Sequence, residues 1–254
     1  MTAFYLKLLV TPMLMLFISL AAKRWGTQIG GLLSGLPITS ALVMLFLSLE
    51  QGAVFASMAV PGALAGLVAI QATYLFYFLI SQRTSAFIGC VAALAFYGAI
   101  AFVMSRLEGI ALSIIATLLL IALIIIVTSR QIPGSAAEYV PVPRWVIPMR
   151  MLTATLLLLA ITASAKWLGP VVSGLLAPVP VIAWPLAVFA HVQGGRHELG
   201  AIVRGNAIGA IGVVAFYLAV KISILQWGAS LSITTAVVLA VVATFVLARM
   251  LAIR

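Results

Sequence analysis

KRWGTQIGGLLSGLPITSALVMLFLSLEQG (residues 23–52) lies over KWLGPVVSGLLAPVPVIAWPLAVFAHVQGG (166–195) without a gap. Lys23 meets Lys166, Gly26 meets Gly169, Gly31-Leu32-Leu33 meets Gly174-Leu175-Leu176, Pro37 meets Pro180 and Gly52 meets Gly195. The offset is a constant 143, the step from Gly31 to Gly174. It runs back to Lys7/Arg150 and on through Gly62/Gly205, Gly66/Gly209 and Tyr74-Leu75/Tyr217-Leu218 to Arg106/Arg249. Residues from about 7 to 107 are therefore expected to recur at about 150 to 250.

Working outward, the chain is 65% hydrophobic and 7% charged, where a soluble domain carries about a quarter of its residues charged. Long apolar runs recur from end to end, and the period-two alternation of a membrane barrel is absent. The fold class expected is an all-α polytopic membrane protein. Apolar segments fall near 4–22, 28–49, 54–80 and 85–105, then 109–129, then 147–165, 170–191, 199–221 and 229–249. That makes about nine transmembrane helices in three parts: a four-helix repeat (1–107), a linker helix with a polar loop (108–149), and a second four-helix repeat (150–254). An odd linker helix makes the second repeat start on the opposite side, so the repeats are expected to be inverted, an architecture of secondary transporters.

Loop charges set the expected orientation. One side receives Lys23, Arg24, Arg83, Arg130, Arg144, Arg150, Arg196, Arg204, Arg249 and Arg254; the other receives only Lys7, Arg106, Lys166 and Lys221. The positive-inside rule then puts the N-terminus outside and the C-terminus in the cytoplasm. Because Lys7 belongs to a repeated element, the first segment reads as a span, not a cleaved leader. The net charge of +10 serves orientation and suits anionic lipid headgroups at the cytoplasmic face; nucleic acid is not an expected partner. The single Cys90 rules out an internal disulfide.

The repeated stretches share helix breakers. The first carries Pro37 in a glycine-rich run, and the second carries Pro178, Pro180 and Pro185. Each interior proline removes a backbone hydrogen bond, and lipid supplies no water to replace it. Breaks at matching positions of inverted units mark the place where transporters bind substrate. Packing kinks are the alternative, since Gly31 and Gly35 also form a GxxxG pair. The candidate binding residues are Gly31, Ser34, Gly35, Pro37, Thr39, Ser40 and Gln71 from the first unit, with Gly174, Pro178, Pro180, Trp184, Arg204 and Asn206 from the second. Arg204 would neutralise an anion, or snorkel. Trp184 and Tyr74 would stack on a ring, or pack. Gln71 and Asn206 would bind solute, or join helices.

No aspartate is present, and Glu50, Glu108, Glu138 and Glu198 fall at segment ends or in loops. Carboxylate-driven proton coupling is thus disfavoured, while hydroxyls and carbonyls would still hold sodium. His191 and His197 do not share a helical face, so no metal site is expected. No catalytic set appears with its companions, so neither an enzyme nor a cofactor is expected.

The segments GGLLSGLPITSALVMLFL and VSGLLAPVPVIAWPLAVFAH resemble the Gly-Leu, Pro, apolar pattern of the GlpM-type small bacterial inner-membrane proteins. One unit of that kind is about half this chain, so the resemblance implies a fused duplicate in a bacterial inner membrane, associated with exopolysaccharide production of the alginate type. Ser48-Leu49-Glu50 stands where the second unit has His191-Val192-Gln193, so no role transfers to His191. Two functions are expected from these readings. The first is a transporter or facilitator of a small polar or anionic solute, or a lipid-linked intermediate. The alternative is a non-transporting scaffold for envelope polysaccharide assembly. Substrate identity, coupling ion and homo-oligomer formation stay open at this stage.

Overall fold

The computed structural model describes residues 5–14, 35–107, 109–129, 145–179 and 183–252, with isolated positions between 16 and 24. The helices are α1 (Tyr5–Leu14), α2 (Ile38–Gln51), α3 (Ala53–Ile80), α4 (Ala86–Arg106), α5 (Ile110–Ser129), α6 (Val146–Leu176) and α7 (Ala183–Ala252). Among the described residues there is no strand. Five helical runs are long and apolar enough to cross a bilayer: Ala53–Ile80, Ala86–Arg106, Ile110–Ser129, Thr155–Leu176 and Gly194–Leu247. The described residues are all-helical, and their apolar runs are those of a membrane-embedded protein.

The last two helices are interrupted by glycines. Gly169 (φ 74°, ψ 172°) divides α6 into 146–168 and 170–176. Gly195 (φ 65°, ψ −156°) and Gly228 (φ 75°, ψ 172°) divide α7 into α7a (183–194), α7b (196–227) and α7c (229–252). The turn at Gly228 is a hairpin, because Gly212 abuts Ala240 and Thr244. Gly52 (φ 93°, ψ 162°) ends α2 and starts α3, with its N–H donating to Ser48 O at 3.0 Å. Gly52 and Gly195, which the 143-residue offset pairs, thus share a backbone region that only glycine enters without strain. A single such residue reverses the chain between adjacent spans, which leaves few unpaired backbone groups to satisfy.

α3 is the central helix. Of its most apolar stretch 72% is buried, against 22–28% for the other four runs. It is apolar all round, as a fully surrounded helix must be, and small residues bring neighbours close. Gly62 lies against Val171 O, Gly66 against Leu175 O, and Gly174 against Ala59 O. α3 therefore runs parallel to segment 170–176. It runs antiparallel to α7b, since Ser57 meets Lys221 near one end and Phe78 meets Arg196 near the other. α4 and α5 turn large side chains such as Phe87, Phe102, Ile115 and Leu119 outward, the surface a hydrocarbon environment covers.

Inside this apolar frame most hydroxyls bond to their own helix. Thr73, Thr128, Thr155, Thr162 and Ser223 each donate to the carbonyl four residues back, the usual way such side chains are satisfied away from water. Others are buried without a partner, among them Thr11, Thr117, Ser173, Ser232 and Thr244.

Candidate functional site

The chain breaks at Leu36–Pro37, ahead of α2, and at Ala177–Val179, after segment 170–176. Backbone groups freed at the second break find partners. Ala177 N donates to Gly174 O at 2.9 Å, Val179 N to Leu176 O at 3.2 Å, and the Tyr97 hydroxyl from α4 to Leu175 O at 3.3 Å. At the first, Ile38 N donates to Leu36 O at 2.8 Å and Ala41 N to Pro37 O at 2.7 Å.

Between the breaks lies a cavity of about 30 Å³, room for one or two waters. Gly35, Leu36, Thr39 and Ser40 line it from the first break and the start of α2, Gln71 from α3, Asn206 from α7b and Pro178 from the second break. Gly35 and Gly209 close one wall, where a Cβ added at Gly209 would stand 2.6 Å from the Gly35 Cα. Gln71 Nε2 donates to Asn206 Oδ1 at 3.2 Å. The Gln71 side chain is 1% exposed, yet its Oε1 has no partner, and an unpaired buried polar atom costs about 1–3 kcal/mol. The Tyr217 hydroxyl, also unpartnered, sits beside Ser40 short of a well-formed bond.

The two ends of the bundle differ. Toward the N-terminal end of α3, Lys7 is 4% exposed. Its Nζ lies 2.6 Å from Glu50 Oε1 and donates to Thr162 Oγ1 at 2.6 Å. Beside it, Lys221 Nζ donates to Ser57 O at 3.0 Å and Ser57 Oγ at 3.2 Å. The Ser57 carbonyl is the one that Pro61, lacking an N–H, leaves without its helical donor. A smaller apolar cavity of about 10 Å³ is lined by Thr11, one turn after Lys7, and by Thr39. The Thr11 hydroxyl is buried and unpartnered.

Toward the C-terminal end of α3, the closure is aromatic. Trp184 packs between Tyr74 and Tyr77 at centroid distances of 5.6 and 5.2 Å. Its Nε1 donates to Cys90 Sγ at 3.3 Å. The Tyr77 hydroxyl bonds His191 Nδ1 at 2.9 Å, and the Arg196 guanidinium lies over Phe78 at 4.3 Å.

Of the residues expected at a site, Gly35, Thr39, Ser40, Gln71, Pro178 and Asn206 come together around the one cavity. Pro37 is the N-cap of α2, immediately beside it. Gly174 serves close packing against α3. Trp184 and Tyr74 pack on each other with their ring planes tilted by 49°. Arg204 is half-buried and does not line the cavity. Gly31, Ser34 and Pro180 lie outside the described residues.

Sequence reasoning missed Lys7, which was counted as a loop charge, and it missed the links from Lys221 to Ser57 and from Tyr77 to His191. One signal was legible: Pro61 announces a free carbonyl at Ser57. Among the described residues no three His, Cys, Asp or Glu side chains converge as metal ligands. No family model, curated protein or solved structure matches this chain.

Proposed function

We propose that the protein is a secondary transporter or facilitator, built from two inverted units (1–107 and 150–254) that rock about a midplane site between their broken helices. The observation that carries this reading is the partly polar cavity bounded by both breaks, with separate groups of contacts at the two ends of the bundle. The internal repeat is supported by two contacts. Gly66 meets Pro178, and Gly209 meets Gly35; adding 143 to one residue of the first pair and subtracting it from the other yields the second. Inversion is supported by the antiparallel course of α3 and α7b, which carry the paired glycines and tyrosines. The nine-span count, with its orientation, also fits the contacts: Lys7, Glu50, Thr162, Ser57 and Lys221 belong to one side of that arrangement, and Tyr77, His191, Arg196 and Phe78 to the other.

On this reading the substrate is a small polar or anionic solute or a lipid-linked intermediate, and its site would open between the broken helices around the cavity. A bacterial inner-membrane location, with the C-terminus in the cytoplasm, follows from the charge bias and the GlpM-type resemblance. The scaffold reading keeps one observation of its own: the carbonyls freed at Gly174, Leu175 and Leu176 already have donors, as packing kinks require.

Cysteine accessibility separates the two. Cys90 is replaced by serine, which keeps an acceptor for Trp184. Single cysteines then go to Thr39, Ser40 and Ala177, with the exposed Arg83 and Lys166, each near the end of a span, as controls. Labelling of the inner positions from both sides of the membrane, in proportions that change with solution conditions, is the expected outcome. Protection of all three while the controls label from opposite sides would hand the lead to the scaffold.

A further inference from the structure

We propose that the cavity between Thr39, Ser40, Gln71 and Asn206 binds one monovalent alkali cation. Its role as a coupling ion rests on the transporter reading; the binding itself does not. The starting point is the buried, unpartnered Gln71 Oε1. The amide of Gln71 gives one N–H to Asn206, while its Oε1 keeps its lone pairs unused. Hydroxyl oxygens of Thr39 and Ser40 line the same space. In surroundings of low dielectric, such oxygens attract a cation far more strongly than they do in water.

The donor set narrows the choice of ion. Among the described lining residues there is no charged side chain. Calcium and magnesium sites draw on carboxylates, and transition metals on His or Cys; neither type is present here. Neutral oxygens suit an ion of single charge. The start of α2 also faces the cavity, and a helix N-terminus favours anions. The end of segment 170–176, carried on to Pro178, opposes it with the other pole. Among the described lining side chains the buried polar atom left without a partner is an oxygen, Gln71 Oε1, and that weighs toward a cation. The volume of about 30 Å³ accommodates a small ion with one water and excludes an organic solute in this conformation.

The test uses the full chain in lipid nanodiscs, melted in NaCl, LiCl or KCl against N-methyl-D-glucamine chloride at matched ionic strength. The melting midpoint is expected to rise saturably with at least one alkali cation. Gln71→Leu should weaken that response about tenfold or more, the loss of one hydrogen-bonding oxygen to a charge; Ser40→Ala is the milder probe should the leucine variant not fold. Gln71→Glu should act in the opposite direction, tightening the alkali response and adding one to Ca²⁺. The proposal is overturned by a midpoint indifferent to the cation, by a response that follows chloride against gluconate, or by a response unchanged in the Gln71 variants. A cation response combined with protected cysteines keeps the ion site and removes transport. Alternating labelling with no cation response does the reverse.

Discussion

The two ends of the bundle close by different chemistry. One is held by ammonium groups: Lys7 against Glu50 and Thr162, and Lys221 against Ser57. The other is held by rings: Trp184, Tyr74, Tyr77 and His191. Water entering the first end can take over the hydrogen bonds of its charges, so that closure is exchangeable. The second end loses packing when it opens and gains little from water. On the transporter reading, one polar closure and one aromatic closure would make two barriers that respond to different perturbations. The expectations below separate them.

The largest effect is expected at the aromatic end. Trp184→Ala removes a ring packed on two tyrosines and deletes the donor to Cys90. Replacing a large packed aromatic by alanine costs about 3–5 kcal/mol when it is fully buried. Trp184 is partly exposed, so about 3 kcal/mol is expected from denaturant unfolding in micelles. Trp184→Phe should recover most of it, since only the bond to sulfur is then lost. Equal losses in both variants would show that the Cys90 contact, and not the packing, holds this end.

At the charged end Lys7→Met is expected to cost about 2 kcal/mol. Stripping one partner from a buried pair costs about 3–5 kcal/mol, and Glu50, at 27% exposure, regains part of that from solvent. The double variant Lys7→Met with Glu50→Leu should recover much of the loss, because no lone charge remains. Additive losses in the double variant would mean that the pair contributes nothing as a pair.

The same contrast marks how much was legible in the sequence. The aromatic end and the breaks were partly legible: Trp184, Tyr74 and the prolines stand out because residue type alone states their chemistry. The cavity was legible too, through polar residues interrupting apolar runs at Thr39, Ser40, Gln71 and Asn206. The charged end was not. Lys7 and Lys221 sit at segment ends, where charge is ordinary, and only three-dimensional packing separates an anchored ammonium from a loop charge. The single-residue turns at Gly195 and Gly228 were legible as boundaries, though not as conformations, because glycine occurs elsewhere in these helices as packing. Gly62, Gly66 and Gly174 are such cases.

The smallest effect tests the one link at the charged end that does have a sequence signature. Pro61 deprives the Ser57 carbonyl of its helical N–H, and Lys221 supplies a donor from α7b. Lys221→Met should cost about 1 kcal/mol, the scale of one net hydrogen bond; part-burial of the contact keeps it from the higher value of a sealed orphan. Pro61→Ala restores an N–H that can bond to Ser57 O within α3. In that background Lys221→Met should lose most of its effect, since the carbonyl no longer depends on another helix. A double-mutant cycle measures this directly. Coupling close to zero would mean that Lys221 contributes through Ser57 Oγ or through its aliphatic stem. Coupling near the full single-variant cost would mean that the carbonyl freed by Pro61 depends on Lys221; on the transporter reading, rocking the units apart would expose that carbonyl to water. On the transporter reading, the charged and aromatic closures are then expected to open under different conditions.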